Sequence, residues 1–237
     1  MLTTTSISLL ESIPYLASLN PKTRDRLLAS VTKRSFSKGE LIILEGEPCP
    51  GVFVIVSGMV KLYRTSMRGD EQIVRIVYPK DYFECAPIFD HRPNPMSAQA
   101  IEATKAYLLP APDFWAALST QPKALLEMLA IISLRLRSLL NMVDDFSFKR
   151  VPSRLANLLL QLSGWQNDAS EDIWNEMGIP NVASPSLTNL TQQDLACMLG
   201  CSRQTINSAL QELRRDNIIE MDGHRIVLLK PKDLKQL

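Results

Sequence analysis

The segment from Leu190 to Arg215 constrains the fold of this chain most, because it contains two capped helical patterns separated by a glycine. Thr191 is a suitable N-cap, and Asp194 three residues later completes a capping-box pattern for a short first helix. Gly200 is the residue at which that helix is expected to end. The pattern therefore predicts a helix-turn-helix.

The second helix is expected to begin after Ser202 and to bury one apolar face, formed by Ile206, Ala209, Leu210 and Leu213. Its opposite face carries side chains that can read base edges in a DNA major groove: Arg203, Gln204, Asn207 and Ser208. Arginine pairs well with guanine, and glutamine or asparagine pairs well with adenine. The alternative is a surface helix with an ordinary polar outer face.

Other residues of the motif are expected to touch DNA as well. Ser202 and Thr205 are the expected phosphate contacts, which would fix the register of the helix on the duplex. Further contacts are expected from the start of the first helix, at Thr191, Gln192 and Gln193. After Asn217, two β-rich runs surround an Asp222-Gly223 turn, which predicts a hairpin and hence a winged helix-turn-helix.

The string Gly200-Cys201-Ser202-Arg203-Gln204-Thr205 resembles the start of the recognition helix in the cyclic AMP receptor protein and FNR superfamily of bacterial transcription factors. The resemblance implies an α+β fold with a cyclic-nucleotide-binding-like β-roll, a long dimerisation helix and a winged helix-turn-helix. We expect these parts in residues 1–120, 121–149 and 150–237, respectively.

Composition sets the other limits. With 237 residues, 46% hydrophobic and 22% charged, the chain suits two modest domains with a real core. The net charge of +1 predicts weak non-specific DNA affinity, so that binding should depend on a dimer that places two recognition helices on a matched site. Neither a membrane span nor a signal-peptide pattern is found, which predicts a cytoplasmic protein without membrane contact.

The amino-terminal half is expected to sense an effector. Short helical pieces, interrupted by Pro14 and Pro21, are expected from Ser12 to Ser30. Four β-rich runs separated by glycines then predict a compact β-roll: Leu41–Leu44, Val52–Val56, Val60–Arg64 and Ile73–Val77.

The expected effector pocket departs from the cyclic AMP pattern of the family, which uses a Gly-Glu-Leu turn and an Arg-Ser pair. Here Cys85 stands in the glutamate position and Met96 in the arginine position, while Ser97 is kept. Because a buried phosphate without a cation is costly, cyclic AMP is not the expected effector. Glu84 as a shifted glutamate and Arg92 as a displaced cation remain as the alternative. The candidate pocket residues are Glu84, Cys85, Met96 and Ser97.

The residues around Asp81-Tyr82-Phe83-Glu84 are more similar to the FNR branch, whose members sense gases through an iron-sulphur cluster or haem. The first 48 residues contain no cysteine, which argues against the cluster. Haem stays open because three acceptable axial ligand types lie near the pocket: His91, Cys85 and Met96. Cys197 and Cys201 are expected to pack rather than to bind zinc, so the effector stays unidentified and no metal site is expected.

A heptad pattern follows Pro122, which favours a two-stranded coiled coil. The expected dimer seam consists of Leu129, Ile132, Leu136, Leu139 and Val143, with Leu125 and Phe146 at its ends. A second apolar stripe is expected to pack on the β-roll: Leu126, Met128, Ile131, Leu134 and Met142. Residues Asp144 to Pro152 are expected to break this helix, and a new helix is expected over Ser153–Ser163.

The function that these patterns favour is a homodimeric, sequence-specific DNA-binding regulator of an inverted-repeat operator, with RNA polymerase as a further candidate partner. The alternative is a ligand-binding dimeric sensor or scaffold without sequence-specific DNA binding. An enzyme is not expected, because neither a catalytic triad nor a phosphate loop appears and the chain has only two histidines, His91 and His224. No chemistry is assigned to residues 164–188.

Overall fold

The computed structural model describes residues 13–83, 86–163, 190–222 and 225–235. Two short helices come first, α1 (Pro14–Ala17) and α2 (Pro21–Ser30). The expectation that Pro14 and Pro21 interrupt helices is wrong, since each proline begins a helix, where its missing N–H costs nothing. Asn20 caps α2 by accepting a hydrogen bond from the Thr23 amide at 2.9 Å.

The β-roll consists of two four-stranded antiparallel sheets. Its strands are β1 (Thr32–Phe36), β2 (Leu41–Ile43), β3 (Gly51–Ser57), β4 (Val60–Thr65), β5 (Glu71–Val77), β6 (Tyr82–Phe83), β7 (Ser97–Ala100) and β8 (Thr104–Pro110). The sheet orders are β1-β8-β3-β6 and β2-β7-β4-β5. The four predicted runs are present as β2 to β5, whereas β1, β6, β7 and β8 were not predicted. An apolar core that includes the stacked rings of Phe53 and Phe83, 5.1 Å apart, fills the space between the sheets.

Helix α3 (Ala86–Asp90) lies between β6 and β7. The helices that lead from β8 to the carboxyl-terminal region are α4 (Ala111–Ser119), α5 (Pro122–Phe148) and α6 (Val151–Ser163). The expected break over Asp144 to Pro152 is wrong in extent, because α5 continues to Phe148 and α6 begins at Val151. The physical reason is tertiary contact at Asp145, whose carboxylate accepts from Asn157 Nδ2 at 3.2 Å and pairs with Lys149 at 2.7 Å.

One face of α5 packs on the amino-terminal part of the protein. Met128 and Ile131 are buried there as expected, together with Ala124, in a core that also contains Tyr82 and Phe114. Leu134 and Met142 are half-buried. Leu126 is 66% exposed, so its assignment to this stripe is wrong.

The carboxyl-terminal region contains α7 (Gln192–Leu199), α8 (Arg203–Arg215), β9 (Ile219–Asp222), β10 (Arg225–Leu228) and α9 (Pro231–Leu234). Strands β9 and β10 pair antiparallel, which confirms the predicted hairpin, although Gly223 and His224 lie outside the described residues. The segment 164–188 lies outside them as well. None of the described helices is long and apolar enough to cross a membrane.

The helix-turn-helix packs directly on the β2-β7-β4-β5 sheet of the β-roll. Met59, Tyr63, Ile73 and Ile76 of the β-roll share one apolar cluster with the core of the carboxyl-terminal region, which includes Leu155, Leu159, Leu199 and Leu210. The orientation of the motif is therefore tied to strands β4 and β5.

Candidate nucleic-acid interface and effector pocket

A reciprocal capping box starts α7. Thr191 Oγ1 accepts from the Asp194 amide at 3.1 Å, and Asp194 Oδ2 accepts from the Thr191 amide at 2.8 Å. At the other end Gly200 has φ = +60°, the left-handed conformation that ends a helix at little cost only for glycine. The two ends fix the length of α7 and the path of the turn.

Helix α8 presents the predicted polar face to solvent. Ser202 caps it by accepting from the Thr205 amide at 3.0 Å. The apolar residues Ile206, Ala209, Leu210 and Leu213 are all buried. All four proposed base-reading side chains are exposed: Arg203, Gln204, Asn207 and Ser208. Their contact with DNA stays a prediction.

The two expected phosphate contacts, Ser202 and Thr205, are hydrogen-bonded to each other. The hydroxyl oxygens of Ser202 and Thr205 lie 2.8 Å apart, and both side chains are exposed at the start of α8. Ser202 already accepts the capping hydrogen bond. A hydroxyl has a single proton to donate, so at most one of the two hydroxyls can donate to a phosphate while they remain bonded to each other.

The neighbouring glutamines of α7 have different partners. Gln192 is half-buried, and its Nε2 donates to Asn207 Oδ1 on α8 at 3.4 Å. Gln193 is exposed, and its Nε2 donates to Cys197 Sγ one turn along the same helix, also at 3.4 Å. Of these two glutamines, Gln192 is therefore the one whose amide reaches α8.

Cys197 and Cys201 pack against the apolar core of the carboxyl-terminal region, as expected for structural cysteines. Burial raises the pKa of the Cys201 thiol; nearby Cys197 raises it further, and Arg154 opposes both effects. A raised thiol pKa makes a poorer nucleophile. Within the described ranges, no three His, Cys, Asp or Glu side chains come together in a way that could hold a metal ion.

The effector pocket is described only in part, because Glu84 and Cys85 lie outside the described residues. Ser97 is buried on β7, where its Oγ accepts from the Glu45 amide at 3.0 Å. Met96 packs against the apolar core between the sheets. His91 is exposed, and its ring lies 6.0 Å from that of Trp115.

Two arginines that the sequence interpretation did not single out meet beside this pocket. Arg75 donates to the main-chain oxygen of Tyr82 at 3.1 Å and pairs with Asp81. Arg135 of α5 donates to the same oxygen at 3.4 Å, and its guanidinium lies 4.7 Å from the centre of the Tyr82 ring. The long helix is thereby joined to the strand that precedes the pocket. A charged residue within the apolar pattern of α5 was the available sequence signal for Arg135.

The predicted seam forms a long exposed apolar stripe on α5. The exposed fractions are 59% for Leu129, 40% for Ile132, 57% for Leu136, 45% for Leu139 and 58% for Val143. Water-exposed apolar stripes of this kind mark contact surfaces.

Comparison with known proteins matches both halves of the chain. Residues 33–121 match the model of the cyclic nucleotide-binding domain, and residues 153–237 match the model of the Crp-like helix-turn-helix domain. The chain is 29% identical over 206 residues to the CRP-like cAMP-activated global transcriptional regulator of Mycobacterium tuberculosis, covering 85% of this chain and 87% of that protein.

Two further similarities agree with this match. The Global nitrogen regulator of Synechocystis is 26% identical over 228 residues, covering 90% of this chain and 96% of that protein. The structure of FixK2 from Bradyrhizobium japonicum superposes with a TM-score of 0.74 at 24% identity, over 87% of this chain and 96% of that one, which supports the predicted α+β architecture. Placement nearer the FNR branch stays a prediction. The chain belongs to the CRP/FNR family of DNA-binding transcription regulators.

Proposed function

We propose that this chain is a homodimeric regulator that reads a specific inverted-repeat DNA site through α8. The observation that carries the proposal is the exposed polar face of α8, which stands on a capped helix with a fully buried apolar face. Side chains of these types at the start of a recognition helix are suited to base edges in the major groove.

The dimer is proposed from the stripe on α5. Two copies that pair along Leu129, Ile132, Leu136, Leu139 and Val143 would remove five apolar side chains per chain from water. A two-fold dimer then places the two α8 helices on half-sites about 34 Å apart. We divide the chain accordingly into a sensor (1–120), a dimerisation helix with its hinge (121–149) and a DNA-binding part (150–237).

We propose that cyclic AMP is not the effector of this chain, although the mycobacterial relative is named as cAMP-activated. Met96 occupies the position where the resemblance implies an arginine, and it packs in the apolar core. Its thioether cannot neutralise a cyclic phosphate. Saturable binding of micromolar cyclic AMP in calorimetric titration, with a matching rise in DNA affinity, would contradict this proposal.

The test of the main proposal is a binding-site selection with the purified full chain on a library of random duplex DNA. The expected product is an inverted repeat whose half-site centres lie one helical turn apart. Enrichment of single half-sites would contradict the dimer. If no sequence is enriched, a sensor or scaffold without sequence-specific DNA binding is the better description.

A further inference from the structure

The side-chain hydrogen bond between α7 and α8 involves a residue on the proposed reading face. Gln192 Nε2 donates to Asn207 Oδ1 at 3.4 Å, and Gln192 is the more buried of the two side chains. Asn207 lies four residues after Arg203, so the two side chains share one face of α8. Gln192 thus holds a side chain that neighbours the proposed guanine contact.

The bond has a direction. An asparagine side chain carries an acceptor oxygen and an amide group with two donors. Gln192 engages the oxygen of the exposed Asn207 side chain, and Asn207 Nδ2 has no protein hydrogen-bond partner among the described residues. The oxygen keeps one lone pair but is tied to α7, whereas both N–H groups of Asn207 Nδ2 stay available to an approaching ligand.

We propose that Gln192 is a positioning residue, which turns Asn207 so that Asn207 Nδ2 donates to a base acceptor. This inference rests on the proposed DNA-reading function. Two-pronged pairing with adenine needs the oxygen and the amide of asparagine side by side at the base edge. Because Gln192 fixes the direction of the oxygen and leaves Nδ2 unbonded, the contact that we propose is a donation from Nδ2 to the base. Guanine O6 and N7, adenine N7 and thymine O4 can accept such a bond, whereas the major-groove edge of cytosine offers a donor.

The experiment starts from the selected operator and measures affinities for all four bases at each position by fluorescence anisotropy. The variants are Gln192→Ala, Asn207→Ala, the double variant, and Gln161→Ala as the matched control. Gln192→Ala and Asn207→Ala should lose discrimination at the same base pair, roughly threefold to tenfold per half-site, the range of one hydrogen bond. The double variant should lose no more than either single variant. Gln161→Ala should keep the preferences of the parent, because Gln161 is an exposed glutamine of α6 that lies outside the predicted DNA contacts.

A second variant tests the direction of the bond. A carboxylate can only accept, so in Gln192→Glu it would bond to Asn207 Nδ2 and turn Oδ1 outward. The added negative charge should weaken binding to all DNA. At the base pair that Asn207 reads, the preference should shift toward cytosine or adenine, whose amino groups donate.

Three results would overturn the inference. One is uniform weakening by Gln192→Ala with every base preference kept, which is the behaviour of a backbone contact. Another is additive loss in the double variant, which would show that the two residues act independently. The third is an unchanged preference in Gln192→Glu. Failure of the proposed function is recognised separately, since the parent protein itself would then show no base preference.

Discussion

Gln72 Nε2 on the sensor strand β5 donates to the main-chain oxygen of Met198 in α7, at a distance of 3.1 Å. Helix α5 reaches the same place through Phe146. A Cβ added to Gly200 would lie 3.1 Å from Gln72 Oε1 and 3.3 Å from the Phe146 ring. The Arg154 guanidinium of α6 lies 4.9 Å from the centre of that ring. The β-roll, helix α5 and the helix-turn-helix thus meet around one turn.

Replacing Gln72 should loosen the DNA-binding motif from the sensor. In Gln72→Ala we expect faster hydrogen exchange in α7, with a loss of only about 1 kcal/mol in the free energy of unfolding. Gln99→Ala is the matched control, because Gln99 also bonds a main-chain oxygen, that of Gly39 at 2.9 Å, within the sensor alone. Equal hydrogen-exchange rates in α7 of both variants would show that the Gln72 contact does not hold the helix-turn-helix against the β-roll.

Gly200→Ala should destabilise the protein for two reasons. The left-handed backbone at φ = +60° costs a residue with a Cβ about 1 to 2 kcal/mol, and the new methyl group would crowd Gln72 and Phe146. Gly69→Ala separates the two effects, because Gly69 has φ = +88° but nothing within 4 Å of its added Cβ. Denaturant unfolding should give a lower free energy of unfolding for Gly200→Ala than for Gly69→Ala. Equal losses would show that the turn absorbs the methyl group.

Leu136→Glu should break the proposed dimer. Pairing along the seam would bury two like charges near each other, which should weaken association by roughly 3 to 5 kcal/mol. Ser138→Glu is the control, since Ser138 is exposed on the same helix but outside the seam. Sedimentation velocity should show a monomer for Leu136→Glu and a dimer for Ser138→Glu. A dimer in both would place the interface elsewhere.

Arg203→Ala should change which DNA is preferred. Loss of a two-pronged guanine contact costs about 1 to 3 kcal/mol per half-site and relaxes preference at one base pair. Thr205→Ala is the comparison, because loss of a phosphate contact should weaken all sequences alike. Repeating the binding-site selection with each variant tests both. An unchanged preferred sequence for Arg203→Ala would refute its assignment as a base reader.

Tyr78→Phe should make the stability of the protein less sensitive to high pH. Burial raises the pKa of Tyr78 above its ordinary value of 10.0, and its hydroxyl has no hydrogen-bond partner among the described residues. Since the pKa is higher in the folded state, the contribution to stability is complete below pH 10.0 and falls as the pH rises above it. In Tyr78→Phe, thermal unfolding should depend less on pH in this range, with about 1 kcal/mol gained at neutral pH. The same steep pH dependence in both proteins would assign it to another group.

The local sequence determined the elements whose signals are short in range. The caps at Thr191 and Ser202, the glycine turn between them and the helical spacing of the apolar residues are enough to define α7 and α8 and to separate their faces. The exposed apolar stripe on α5 could be predicted in the same way, because a heptad repeat is a property of one helix, whereas its pairing in a dimer stays a prediction.

Tertiary structure decided what depends on partners distant in the chain. β1 and β8 were not predicted, although they pair along five residues from Thr32 to Phe36, because that pairing joins segments about seventy residues apart. Asp145 lies within α5 despite the local break signal, and its carboxylate accepts from Asn157 of α6, a partner that the local pattern does not reveal. The bonds from Gln72 to Met198 and from Gln192 to Asn207 exist only because two elements meet at a set distance and angle. The residue pattern along one helix or strand specifies which of its faces is buried. The packing of two elements decides which side chains of the second element that face contacts.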